Sequence, residues 1–168
     1  MKIEAFVGER VHRYLDFNIT LNSELSLFNG INGSGKTTFV QSIVSLIQPD
    51  IFWLLETEFD MLQVKINHDG ENQNITAAKD QNFFYLKTSS VRGQLKIPLE
   101  YYSAYRESIK DRRRPTRLLV RELRQFIENE TIRHISDLPT PMFLGLDRTT
   151  RKADLQDLEE EYPTPYPQ

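Results

Sequence analysis

The chain has 168 residues, 39% of them hydrophobic and 27% charged, proportions that fit one globular domain with a real core. A formal charge of −3 argues neither for nor against a polyanionic partner, and the absence of cysteine excludes disulfides and thiolate metal sites. No charged-then-apolar leader opens the sequence and no apolar run approaches the ~18 residues that span a bilayer, so a cytoplasmic protein without membrane contact is expected.

Residues 2–7 alternate, with Ile3, Ala5 and Val7 against Lys2 and Glu4, and predict a half-buried strand. Residues 15–21 repeat the pattern, with Leu15, Phe17, Ile19 and Leu21 on the apolar side. Residues 25–28 are more continuously apolar and predict a third, central strand leading into Asn29 and Gly30. After Lys36 the period changes. Phe39, Ile43, Leu46 and Ile47 fall on one face of a helix that Pro49 ends.

From 51 to 98 the text is that of hairpins. Leu62, Val64 and Ile66 alternate with Gln63 and Lys65, and residues 67–70 supply a turn. Residues 83–87 and 95–97 predict further short strands, with Gly93 between them. Helical spacing returns at about 100–135. Tyr101, Tyr105 and Ile109 lie four apart, residues 111–115 interrupt, and Leu119, Leu123, Phe126 and Ile127 share a face. Residues 142–146 predict a last apolar strand. Residues 148–168, acidic and then proline-rich, read as a linker or disordered tail.

One segment carries chemistry. Residues 30–37 follow the pattern G-x-x-x-x-G-K-[ST] through Gly30, Gly35, Lys36 and Thr37, between a predicted strand and an amphipathic helix. A chain that wraps a phosphate must present successive N–H groups, which requires backbone angles and close approach that glycine tolerates cheaply. The helix start adds free N–H donors and the positive end of its dipole. Lys36 is a compact charge able to reach β- and γ-phosphates, the Thr37 hydroxyl can ligate Mg2+, and Thr38 can donate to the α-phosphate.

Residues 15–49 resemble the start of an ABC-type ATPase head of the SMC, RecF and OLD group. Asn32, Gly33, Ser34, Gly35, Lys36, Thr37 and Thr38 match that group's loop residue by residue. The resemblance implies an α/β fold of the P-loop NTPase class. Residues 1–147 would form the N-terminal lobe, with an antiparallel β insertion at about 51–98 and helices after it. It implies ATP and Mg2+ as cofactors, Lys36 as the catalytic residue, Thr37 as the metal ligand and a second ATPase protomer as partner. The ending Leu144, Gly145, Leu146, Asp147 and Arg148 resembles anti-phage defence ATPases of the Septu and retron-associated kind. That likeness implies DNA repair or phage defence as the setting and an effector nuclease or toxin as a further partner.

The departures matter as much. A signature loop opening a helix is missing: Ser90, Val91, Arg92, Gly93 and Gln94 echo it but lead into a predicted strand. Arg148 stands where an Asp-Glu strand would carry its glutamate, and no glutamine follows to position water. Asp147 is a candidate magnesium ligand or a strand-end residue capping a turn with Thr149. Hydrolysis is therefore not expected of residues 1–168 alone.

Weaker signals each have a plain alternative. Arg112, Arg113 and Arg114 are candidate DNA contacts, although Glu107, Asp111 and Glu122 among them suit a solvated helix face. Tyr101, Tyr102 and Tyr105 have helical spacing and are expected in the core. His12 and Arg13 are either a nucleotide contact or an exposed turn pair, and His68 and His134 have no ligand spacing around them. Two other functions compete: a small self-contained P-loop enzyme such as a nucleotide kinase, and a scaffold that binds nucleotide without hydrolysing it. No Asn-Lys-x-Asp guanine motif supports a GTPase.

Overall fold

A single antiparallel sheet organises the chain, in a computed structural model that describes residues 1–110 and 129–139. Its strands are β1 (Lys2–Val11), β2 (Leu15–Thr20), β3 (Met61–His68), β4 (Glu71–Lys79), β5 (Phe83–Thr88) and β6 (Gln94–Pro98), in spatial order β2-β1-β3-β4-β5-β6. Four described helices accompany it: α1 (Lys36–Ile47), α2 (Ile51–Glu56), α3 (Leu99–Lys110) and α4 (Glu130–Ser136). The class is mixed α/β. No helix among the described residues is long and apolar enough to cross a membrane.

Alternation decides the two sheet faces. Phe6, Val64 and Ile75 stand in one cross-strand row, Ala77, Leu86 and Leu95 in another, and all are 0–1% exposed. Burying each large apolar side chain contributes roughly 1.5–3 kcal/mol. Phe39, Ile43, Leu46 and Ile47 of α1 bury against this face as their spacing predicts, and α2 and α4 add Leu54, Ile132 and Ile135 to the same cluster. The turn between β3 and β4 uses Asp69 and Gly70 at φ 52° and 86°, the left-handed pair that matches the twist of a tight hairpin.

Three expectations are corrected. Residues 51–56 are not part of a hairpin. They form α2, because Asp50 accepts the Trp53 N–H at 2.9 Å and caps the helix start, which lets Ile51, Leu54 and Leu55 bury together. On β1, which pairs with β3 along seven partners from Lys2 to Glu9, a register shift between Ile3 and Ala5 turns Phe6 into the core and leaves Ala5 and Val7, expected inside, on the other face. The third strand at 25–28 does not form. Among the described residues nothing pairs with its backbone, and Leu25, Leu27 and Phe28 are 67%, 84% and 44% exposed. A strand exists only with a neighbour to take its N–H and C=O groups, and the sheet reaches its edge at β2.

The remaining helix readings are met in part. α3 begins at Leu99, and Tyr102 packs against the core as expected. The second predicted helix, the strand at 142–146 and the tail at 148–168 lie outside the described residues.

Candidate phosphate-binding loop

The loop between residues 30 and 36 turns on two glycines in the left-handed region, Gly33 at φ 83° and Gly35 at φ 88°. Gly35 is constrained twice. A Cβ there would stand 3.2 Å from Leu15 Cδ1 and 3.3 Å from Phe17 Cζ, so the loop rests directly on β2. A Cβ on Gly30 would meet Ser34 Oγ at 2.9 Å, closer than such contacts run. Alternation placed Leu15 and Phe17 on the buried side of their strand, but that they form the floor of the loop is tertiary information.

The helix start is left open. α1 has no side-chain cap at its N-terminus, whereas Asp50 caps α2 and Asn129 caps α4. Among the described residues no hydrogen bond engages the N–H groups of Gly33, Gly35, Lys36, Thr37 or Thr38. Five backbone donors lie along six residues, with no acidic side chain in the first turn. The Lys36 ammonium closes the loop from its other side, donating to Gly30 O at 2.6 Å, Ile31 O at 2.8 Å and Ser34 Oγ at 3.4 Å. Asn32, Gly33, Ser34 and Thr37 are exposed, and Gly35, Lys36 and Thr38 half-buried. Exposed donors with a cation beside them can hold an oxyanion of several charges.

The donor set also suits a particular kind of metal. No group of three or more acidic or histidine side chains that could cage an ion occurs among the described residues. The exposed Thr37 hydroxyl is a side chain that could ligate a cation held chiefly by phosphate oxygens and water. This is the coordination a small, reluctantly dehydrated cation favours. Asp147, the other candidate metal ligand, lies outside the described residues, as do Arg112, Arg113 and Arg114.

His12 and Arg13 are not gathered at the loop. They occupy the β1–β2 turn, where Arg10, His12 and Arg13 all have positive φ (49°, 51° and 74°). The turn is tied to the start of β3: His12 N donates to Glu58 O, Arg13 grips the Glu58 carboxylate, and Arg10 grips Asp60 with two bonds at 2.6 and 2.8 Å. Each guanidinium holds its carboxyl below the usual range. These pairs are exposed, and such pairs contribute little individually. Their effect is to orient a strained turn. Residues 10 and 60 are 50 apart in sequence, and no local pattern announces the pair.

A cavity of about 840 Å³ opens beside these pairs, lined by Arg10, Arg13, Phe59, Asp60, Lys79 and Leu99 among others. Lys79 is half-buried within it. Its ammonium donates to Leu55 O at 2.8 Å and Thr57 O at 2.5 Å and lies 4.5 Å from the Phe59 ring centre, closing the C-terminal end of α2. Burial is the larger influence and lowers its pKa from 10.5 to about 8, against the opposing pull of Glu58. Between pH 8 and 10.5 the unfolded chain therefore keeps a proton that the folded chain has lost. Stability should rise through that window by on the order of 1–2 kcal/mol. Urea unfolding at pH 7.5, 9 and 10.5 checks this, and Lys79→Met should remove the rise.

His68 leaves its buried Nδ1 without a partner, and His134 meets only Gln73 Oε1 at 3.4 Å, so neither belongs to a ligand cluster. No known protein family matches the chain, and no curated protein is similar to it.

Proposed function

We propose that the chain is a nucleotide-binding lobe of an ABC/SMC-like ATPase, holding ATP·Mg2+ on the loop that begins α1. The observation that carries the reading is the conjunction at one helix start: five unbonded backbone N–H groups, no competing side-chain cap, and Lys36 across the loop. Each element favours a polyphosphate, and together they leave little room for a neutral ligand. On nucleotide binding Lys36 would exchange carbonyl acceptors for phosphate oxygens, trading dipoles for full negative charge. Bound magnesium would neutralise the β- and γ-oxygens, with Thr37 as its side-chain ligand.

The same lobe is incomplete by this reading. Leu25, Leu27 and Ile31 stand 67%, 84% and 82% exposed immediately before the loop, a grouping of large apolar side chains that monomers rarely leave in water. A second ATPase protomer or lobe covering them would also supply the missing signature loop and the residue that positions water. Coupling to an effector nuclease or toxin in DNA repair or phage defence rests on the family resemblance alone. The self-contained kinase is the weaker reading, because β1 and β2 precede the loop and the antiparallel strands β3 to β6 follow it, an order unlike a small kinase that begins almost at its loop.

Phosphate release separates the readings. Residues 1–168 alone should hydrolyse ATP at background rate, since catalysis of phosphoryl transfer is mostly positioning and charge stabilisation. Robust turnover by the isolated chain that depends on Lys36 would replace the incomplete lobe with the small enzyme. Background turnover even with its native partner, alongside measurable ATP binding, would leave the nucleotide-bound scaffold.

A further inference from the structure

The helices described above place their apolar residues on one side of the sheet, and the opposite side carries an uneven set of charges. Strands β3 to β6 place Gln63, Lys65, Asn74, Tyr85, Lys87 and Lys96 there by alternation with the buried positions, Asn74, Lys87 and Lys96 exposed and Gln63, Lys65 and Tyr85 half-buried. An open antiparallel face is expected to be polar. It is not expected to be charged with one sign, in a chain of net charge −3. On the open face of these four strands every charged side chain is a lysine.

Two aromatic rings lie among the lysines. Phe83 and Tyr85 project from the same side of β5 with ring centres 6.2 Å apart. The Lys96 ammonium sits 3.7 Å from the Phe83 ring centre and 5.6 Å from that of Tyr85, and Tyr85 and Lys96 are direct cross-strand partners. The Tyr85 hydroxyl donates to Asp80 Oδ2 at 2.9 Å, which fixes the ring. Asp80 is the nearby carboxylate: it also accepts the N–H groups of Asn82 and Phe83, which with Tyr85 keep it ionised, and it attracts Lys96. Lys87 is exposed opposite Gln94, and Lys65 forms an ion pair with Glu4 at 2.8 Å.

We propose that the open face of β3 to β6 binds single-stranded nucleic acid, with phosphates on Lys87 and Lys96 and a base stacked on Tyr85. The chemistry matches at each point. Lys87 and Lys96 are diagonal neighbours on adjacent strands, about 7–8 Å apart, on the scale of successive phosphates. The ammonium held by two rings and the ring held by Asp80 are ordered before binding, so less freedom is lost. Amide side chains at Gln63, Asn74 and Gln94 can bond base edges or phosphate without adding charge. A duplex fits less well, because a flat face offers stacking that paired bases cannot use.

The test uses the whole 168-residue chain without nucleotide, and fluorescein-labelled dT15 and U15 as probes. Both should bind at low salt, and the stronger of the two identifies DNA or RNA as the partner. Lys87→Gln and Lys96→Gln should each flatten the log–log salt slope by about 0.7. Tyr85→Ala should weaken binding about tenfold or more, and Tyr85→Phe should keep most of it. Circular dichroism of each variant guards against unfolding, and Lys36→Ala, which disables the proposed ATP site, should bind the probes unchanged. Three results would each overturn the proposal: no binding at 25 mM salt (about a 20 Å screening length), binding indifferent to all three positions, or displacement by duplex as effective as by single strand. Loss of binding only on replacing Arg112, Arg113 and Arg114 would move the nucleic-acid surface off the sheet.

Discussion

Lys36→Ala is expected to remove ATP·Mg2+ binding to below detection in a titration with labelled nucleotide. The ammonium is the one full positive charge in the loop, and a charge-assisted hydrogen bond contributes roughly 1.5–3 kcal/mol. Losing two such bonds to the β- and γ-phosphates weakens affinity by a factor on the order of 10² or more. The structure adds a second cause. Lys36 also joins Gly30 O, Ile31 O and Ser34 Oγ, so alanine releases the far side of the loop as well as the charge. Lys36→Met separates the two only slightly, but Ser34→Ala removes one loop contact without touching the charge and should cost less than tenfold. Thr37→Ala should chiefly weaken the magnesium dependence, because the exposed hydroxyl makes no hydrogen bond within the described residues. Binding that survives Lys36→Ala would remove the basis of the phosphate site.

Phe6→Ala is expected to lower stability by about 3–5 kcal/mol, read from the urea midpoint with an unchanged slope. Phe6 is fully buried on β1, one strand in from the sheet edge, between β2 and β3. Its ring meets Phe39 edge-on at 5.3 Å and Phe17 at 5.9 Å, and Phe17 and Phe39 are themselves 5.8 Å apart. The three rings join the sheet to the first turn of α1, and Phe17 also lies under Gly35. The void would therefore open beneath the loop. For a domain with about 5–15 kcal/mol of total stability, such a loss is a large share of the whole. ATP affinity should fall with it, whereas Phe6→Leu keeps most of the volume and should cost well under half as much. A loss below 1 kcal/mol would mean that this aromatic cluster does not hold α1 on the sheet.

How much of this was legible before the structure depended on the range of each interaction. The turn of the glycine-rich loop was readable because its features are local: Gly33 and Gly35 supply the left-handed angles, and Lys36 bonds carbonyls five and six residues away. The faces of β3 and α1 were readable because each periodicity matches its burial, whereas on β1 a register shift after Ile3 buries Phe6 in place of the expected Ala5 and Val7. Residues 51–56 were ambiguous for a physical reason. A five-residue apolar run suits a buried strand or a short helix equally, and the Asp50 cap decides between them.

Residues 25–28 have the composition of a central strand, but composition cannot create a neighbour, and the backbone there stays unpaired with Leu25 and Leu27 in the open. The sequence by itself determined the loop and the alternating faces, since both follow from residues within a few positions of one another. Only the tertiary structure decided that β1 pairs with β3 across more than fifty residues, that Leu15 and Phe17 floor the loop, that Arg10 and Arg13 are spent on Asp60 and Glu58, and that the lysines of β3, β5 and β6 share one open face. Such contacts are selected by the free energy of the whole packed chain, and no short window of sequence contains both partners.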